Sequence, residues 1–341
     1  MKVLAMKWRR LGDTALWSAA LQALSEHVTA HGGEVAIAFP KAYAPLFEAD
    51  PRFGKKFPLG SSVKDQWEWL RQVRRENFDH CLNFHASQRT ARLTRWSGAA
   101  QTWIHHHQRN HNREPNPIPG AGTVMSAIER DLNVVRAIGW TGNSPSPKLW
   151  LPETWKEEAK ATWNTPLPLV VLGVSASRES KLWPLSRYVA VAESLKKDCR
   201  VVVAYDAKTV FDRDPQCLTY FEKEKMLAHT PTLDKILGLL SLASLYIGSD
   251  SGVKHLACAL GTKTITLFGP ESRGEWHGYD PEKHIALQKP VLCRDQDPHP
   301  PEFAWCGEAV CPLSSHACLH LIFPEEVIPH ARRLLATPKY A

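Results

Sequence analysis

IGSDSGVKHLACALGTKTITLFGP, residues 247–270, packs a strand, a helix and a second strand into one short stretch. LYIGS (245–249) is a mostly apolar run that ends at Ser249, and KTITLFG (263–269), rich in β-branched residues, follows the helix. Both are predicted as buried strands. Residues 251–260 between them are predicted as a helix capped by Asp250 or Ser251. Gly252 lets a ligand come close to the backbone. The first-turn amides of residues 252–254 are unpaired donors at the positive end of a helix dipole, which makes a seat for phosphate. Lys254 and His255 share that turn and offer charge or a hydrogen bond. The same residues also read as an ordinary capped helix with an exposed lysine and a surface histidine.

Outward from this stretch, the second half repeats the alternation. Strands are predicted at 168–174 and 201–205, and helices at 186–197, 232–243 and 325–336. The first half shows it as well. Strands are expected at 2–6, 34–39, 79–84 and 101–106, with a first helix capped by Asp13 and periodic from Leu16 to Val28 and others over 41–48, 64–76, 88–96 and 123–138. Strands alternating with helices predict parallel βαβ units and a doubly wound sheet. TGNSPSPKLWLP (141–152) holds three prolines and no regular period, as an interdomain linker would. The expected architecture is therefore α/β, with two Rossmann-like doubly wound domains, 1–150 and 151–341, facing a central cleft. Ligands favour the carboxyl ends of such strands.

Two other segments carry groups suited to chemistry. In GVSASRESKLWP (173–184) a strand runs into a loop where Ser175 and Ser177 can donate to phosphate oxygens and Lys181 can neutralise one. In KWRRLGD (7–13) Asp13 opens a helix after a strand and Gly12. There it serves as an N-cap or as a general base, with Lys7, Arg9 and Arg10 placed to hold an anionic substrate.

The 341 residues carry 42 Lys+Arg and 35 Asp+Glu, a net +7, and are 43% hydrophobic, which excludes a disordered chain. The charge is lopsided. Residues 1–150 hold 20 basic and 12 acidic side chains, and 151–341 hold 22 and 23, so the first half is the candidate for an anionic partner. The longest apolar stretch, 237–248, falls short of the roughly 20 residues a membrane span needs. Lys7, Arg9, Arg10 and Asp13 interrupt any secretory apolar region. Eight cysteines in this length do not make a disulfide scaffold, and a reducing cytosol is expected.

The three segments together resemble glycosyltransferase family nine, the lipopolysaccharide heptosyltransferases. The resemblance lies in Gly12-Asp13, in Lys181-x-Trp183-Pro184, in the block from Asp250 to Pro270 and in the run TPTLDKILGLLSLASLYIGSDSG leading to it. It implies a GT-B fold, with the acceptor in the first domain and the nucleotide sugar in the second. It also implies ADP-heptose as donor, inversion at the anomeric carbon and no metal. Asp13 then matches the catalytic base and Lys7 a basic residue beside it. Ser177 and Lys181 match diphosphate contacts, and Asp250, Ser251, Gly252 and His255 the second donor loop. The chain departs from the family pattern with Ala19 and Lys263 where prolines are common. It has no clear glutamate for the donor ribose, and Asp206 is the nearest acidic residue.

Arg89, Arg92 and Arg95 form a basic stripe with Trp96 beside it, and Arg89 is taken as an acceptor contact. The run WEWLRQVRR (67–75) could rest on an anionic bilayer surface or form a half-buried helix. His105, His106, His107 and His111 lack partners at ligand spacing and read as a polar loop. The two D-x-D sequences, at Asp212 and Asp295, read as chance. Cys293, Cys306, Cys311 and Cys318 read as a packed or redox-labile loop, with a structural metal as the lesser alternative. The expectation is an inverting heptosyltransferase with a lipopolysaccharide inner-core acceptor and no nucleic-acid partner, cytoplasmic and peripheral at the inner face of the cytoplasmic membrane. A sugar-nucleotide epimerase of the same fold and a basic nucleic-acid-binding protein are the rival readings.

Overall fold

The computed structural model describes residues 1–106, 114–120, 122–296 and 298–337, which form two compact units, Met1–Trp150 and Leu151–Ala341. The first unit runs β1 (Lys2–Met6), α1 (Leu11–Ala30), β2 (Glu34–Pro40), β3 (Lys55–Leu59), α2 (Val63–Arg74), β4 (His80–Asn83), α3 (Gln88–Trp96), β5 (Gln101–Ile104) and α4 (Ala127–Arg136). Its strands make one parallel sheet in the order β3-β2-β1-β4-β5. Strand order reverses between β1 and β4, so their carboxyl ends form a topological switch point. Met6, Trp69, Val73, Cys81 and Leu93 pack α2 and α3 onto the sheet. A reciprocal capping box starts α2: Asp65 N donates to Ser62 Oγ and Ser62 N to Asp65 Oδ2, each at 3.0 Å.

The second unit runs α5 (Glu153–Trp163), β6 (Leu169–Gly173), α6 (Leu185–Leu195), β7 (Arg200–Tyr205), α7 (Pro215–Lys223), β8 (Leu227–His229), α8 (Leu233–Leu242), β9 (Leu245–Ser249), α9 (Gly252–Ala259), β10 (Lys263–Phe268), α10 (Arg273–Trp276), β11 (His284–Gln288), α11 (Leu292–Asp295), α12 (Ala317–His320) and α13 (Pro324–Ala336). Its parallel sheet has the order β11-β10-β9-β6-β7-β8, with the switch point between β6 and β9. Both sheets are doubly wound α/β, as the alternating pattern predicts. Lys263 is buried, and its ammonium donates to Leu334 O at 2.7 Å and Thr337 O at 2.6 Å, closing the carboxyl end of α13.

Three local expectations change. Asp13 is not the N-cap of α1. The cap is Arg10, and Asp13 lies inside the first turn, where a carboxylate meets the positive helix end. Residues 41–48 wind as a 3-10 helix, Lys41–Phe47, with Pro45 inside it. The helix expected over 123–138 begins at Ala127, capped by Ser126. The strands β3, β8 and β11 and the helices α5, α7, α10, α11 and α12 were not foreseen.

Gly173 and Gly248 face each other across β6 and β9, with the Tyr246 hydroxyl between them. A Cβ on Gly248 would stand 2.5 Å from Tyr246 Oη and 2.9 Å from Gly173 O. Gly248→Ala should therefore cost about 1–3 kcal/mol of stability. The check is a fall of several degrees in the thermal midpoint; an unchanged midpoint would mean that the strands separate freely here.

Candidate functional site

Each switch point carries a cluster of charged side chains. In the first unit Lys7 follows β1, Asp13 sits on α1, His85 follows β4, and Arg130 and Asp131 lie on α4. Lys7 is fully buried and its ammonium donates to Asp131 Oδ2 at 2.5 Å. Burial works against both charges of this pair, lowering the Lys7 pKa and raising that of Asp131. The acceptor contact expected of Lys7 is therefore corrected: with no exposed surface, it acts on Asp13 through its charge.

Asp13 is 7% exposed, and its Oδ1 lies 3.6 Å from His85 Nδ1 and 3.7 Å from Arg9 Nε. Burial alone would raise the Asp13 carboxyl. The polar contact from His85 and the charges of Lys7 and Arg9 outweigh it and hold the group below the usual carboxylate range. Burial, reinforced by the nearby cations Arg130, Arg9 and Lys7, pushes the His85 pKa down to about 2 against the pull of Asp13. The result is an ionised carboxylate beside a neutral imidazole. Arg9 and Arg10 are exposed, and the Arg89 guanidinium lies 4.5 Å from the ring centroid of Trp8, next to Arg9 in the chain.

In the second unit Lys181 follows β6 and Asp250 follows β9. Lys181 Nζ lies 3.1 Å from Asp250 Oδ2, and Lys254 Nζ donates to Asp250 Oδ1 at 2.6 Å. Lys254 is fully buried, not the surface lysine one reading of the helix allowed, and its ammonium also donates to Trp276 O at 2.9 Å. Burial would raise the Asp250 carboxyl, but Lys254, Lys181 and His255 together hold it well below its ordinary value. Lys181 also meets Glu271 at 3.2 Å, and Glu271 in turn pairs with Arg178. Of the two expected caps Ser251 holds the N-cap position of α9, without a side-chain capping bond, while Asp250 is taken by the lysines. His255 Nε2 is 3.9 Å from Asp250 Oδ1, and its Nδ1 is hydrogen-bonded to the Tyr279 hydroxyl at 2.5 Å.

Lys181, Asp250, Ser251, Gly252 and His255 are thus gathered at the β6/β9 switch point. Ser177 lies beside them, lining a cavity of about 870 Å³ past the ends of β6 and β7 with Arg178, Asp206, Arg213 and His316. That volume suits a small-molecule ligand. Sequence reasoning missed His85, Asp131, Arg178, Arg213 and Glu271. A basic residue in a post-strand loop was the signal available for Arg178; none pointed to the others.

The features set aside have local explanations. Asp214 caps α7, accepting from Cys217 N at 3.4 Å, and Asp295 pairs with Arg294 at 2.9 Å; Asp297 lies outside the described residues. His105 is buried and His106 pairs with Glu114 at 3.1 Å, while His107 and His111 lie outside the described residues. Cys293, Cys306, Cys311 and Cys318 line one cavity of about 220 Å³, where burial lifts the Cys318 thiol to about 11. Among the described residues no three His, Cys, Asp or Glu side chains are placed to hold a metal ion.

Residues 67–297 match the sequence profile described as Glycosyltransferase family 9 (heptosyltransferase). The chain belongs to glycosyltransferase family 9. As a member of this enzyme family it is similar to lipooligosaccharide heptosyltransferase 2 of Campylobacter jejuni serotype O:2, at 27% identity over 113 residues. That match spans 33% of this chain and 32% of the relative's length. Among solved structures, a family 9 glycosyltransferase from Veillonella parvula superposes with a TM-score of 0.78 at 18% identity, covering 98% of this chain and 97% of that one. The ADP-heptose lipopolysaccharide heptosyltransferase II of E. coli gives 0.75 at 16% identity, covering 98% and 99%. The two structures share the GT-B-like fold of this family 9 chain.

The family 9 chain also holds neutral histidines in both units. Burial lowers His85 to about 2, His277 to about 3 and His284 to about 4. The unfolded chain protonates these groups near pH 6.5, so it binds more protons than the folded chain below that pH. Stability should then fall as pH drops, by up to about 1.4 kcal/mol per pH unit for each histidine. Thermal melts between about pH 7.5 and 5 check this, and a flat profile contradicts it.

Proposed function

We propose that the chain transfers a heptose from ADP-heptose to the inner core of lipopolysaccharide, with inversion and with Asp13 as general base. The observation that carries the reading is the ionised, buried Asp13 at the carboxyl end of one doubly wound sheet, with Lys181, Asp250 and the α9 amino terminus at the matching place in the other. The acceptor hydroxyl attacks the anomeric carbon opposite the diphosphate. The new C–O bond forms, the bond from that carbon to the diphosphate oxygen breaks, and the hydroxyl proton passes to the Asp13 carboxylate. Although Asp13 is a weak base at rest, the hydroxyl becomes acidic as its oxygen bonds to carbon.

ADP leaves with growing negative charge. Lys181 and the first-turn amides of α9 stabilise it, and Gly252 lets the phosphate reach the backbone. Ser177 and His255 supply hydrogen bonds to the donor, while Ser251 and Asp250 shape its loop. Arg9, Arg10 and Arg89 hold the anionic acceptor, and the excess basic charge of the first unit serves the same end. No described helix is long and apolar enough to cross a membrane. The reading places the chain in the cytoplasm at the inner face of the cytoplasmic membrane.

The test is ADP release from ADP-heptose with and without heptose-deficient lipopolysaccharide. Acceptor-dependent release supports transfer. Conversion of the sugar without acceptor supports an epimerase, and tight salt-sensitive DNA binding a nucleic-acid role.

A further inference from the structure

Helices α2 and α3 lie side by side on the first unit and enclose a groove of about 220 Å³ lined by Val63, Trp67, Leu70, Arg89, Arg92 and Trp96. Large apolar side chains are open to solvent on this face: Val63 is 71% exposed, Trp67 57% and Trp96 48%. The two helices together carry six basic side chains (Lys64, Arg71, Arg74, Arg89, Arg92, Arg95) against two acidic ones, Asp65 and Glu68. Asp65 is occupied in the α2 capping box, and Glu68 lies 3.9 Å from Lys64. Arg74 Nε donates to Trp96 O at 2.7 Å, which ties the end of α3 to α2.

Exposed indoles flanked by arginines match the chemistry of a lipid headgroup layer. The rings settle between acyl chain and water, and the guanidinium groups pair with phosphate. Two half-open tryptophans and Val63 beside one groove make a contiguous apolar patch, the kind of surface that marks an interaction site. The face is also continuous with the candidate acceptor segment, because Arg89 stacks on Trp8 at 4.5 Å, three residues before the helix turn that holds Asp13.

We propose that the α2–α3 face docks on an anionic phospholipid bilayer, with Trp67 and Trp96 at headgroup depth and Arg71, Arg74 and Arg92 against lipid phosphates. Its biological setting rests on the transfer reading, since a lipid-linked acceptor is presented at such a surface. The docking itself does not depend on transfer.

The experiment is co-sedimentation of the full chain with phosphatidylcholine vesicles, with and without phosphatidylglycerol, at low salt and in about 0.5 M salt, where charges are screened within a few Å. Binding is expected to the anionic vesicles alone and to weaken in salt. Each basic side chain contributes about fivefold to the partition, so Arg71→Glu/Arg92→Glu should lower it by tenfold or more. Trp67→Ala/Trp96→Ala should do the same, and both double variants should keep wild-type ADP release with a delipidated acceptor. Four outcomes overturn the proposal: no binding of the wild type, equal binding to neutral vesicles, undiminished binding of either double variant, or a tryptophan variant that dissociates a dimer by light scattering while vesicle binding persists. If vesicle binding holds and acceptor-dependent ADP release fails, the transfer reading falls and the docking face stands.

Discussion

Asp13→Asn is expected to lower kcat by about 10²- to 10⁴-fold, the usual worth of a positioned general base. The amide keeps the shape and the His85 contact but cannot take the hydroxyl proton. The Kd for ADP should stay near wild type, because the candidate donor groups Lys181, Asp250 and α9 belong to the other unit. Because the surroundings hold Asp13 below the ordinary carboxylate range and His85 down at about 2, neither group titrates in the working range. The pH–rate profile should lack an acidic limb from Asp13 between about pH 5 and 9. His85→Ala removes one of the groups that hold Asp13 ionised, so it should reduce kcat less and shift the acidic limb upward. Near-normal turnover of Asp13→Asn, measured as ADP release with saturating acceptor, would remove Asp13 from the chemistry.

Asp250→Ala should be the most damaging change to stability. It strips the carboxylate from Lys254, which is fully buried and makes its 2.6 Å contact with Asp250. Breaking one side of a buried ion pair costs about 3–5 kcal/mol. For a unit of this size that is a fall of roughly 10 °C in the thermal midpoint. Asp250→Ala/Lys254→Met removes both charges and should recover most of the loss. Donor binding separates the structural role from the functional one. In the recovered double variant ADP should still bind about tenfold more weakly, because Lys181 loses the 3.1 Å contact that positions it and is left to Glu271 at 3.2 Å, which competes with the diphosphate. Wild-type ADP affinity there would leave Asp250 a purely structural residue.

The sign of the pH effect follows from the same pair. The folded Asp250 pKa is depressed, so its contribution is complete above the unfolded value of about 3.9 and is lost as pH falls toward the folded value. At neutral pH the effect is therefore read by mutation rather than by titration.

The two doubly wound sheets were legible in the sequence because their central strands are buried on both faces. A strand such as β6 or β9 then reads as an unbroken apolar run, with every residue buried. The missed strands β3, β8 and β11 are edge strands, where only one neighbour and partial exposure constrain composition. Pro58 in β3 is tolerated at such an edge because no ladder partner needs its missing N–H. Asp13 and Asp250 were legible for a related reason: each stands where a buried strand gives way to a helix, and that position is written in local residues.

Arg9 and Lys254 lie only four residues from Asp13 and Asp250, but the other members of each cluster are distant in the chain. Asp131 meets Lys7 across 124 residues, and Lys181 meets Asp250 across 69. Strand order brings these segments together, and the sequence does not carry that order. Local pattern thus determined the fold class and the two candidate carboxylates. Tertiary structure decided their charge states, turning Lys7 from an expected acceptor contact into a buried counterion and Lys254 from a surface lysine into the partner of Asp250. A buried charge persists only beside an opposite one, and the fold alone determines which side chains become such neighbours.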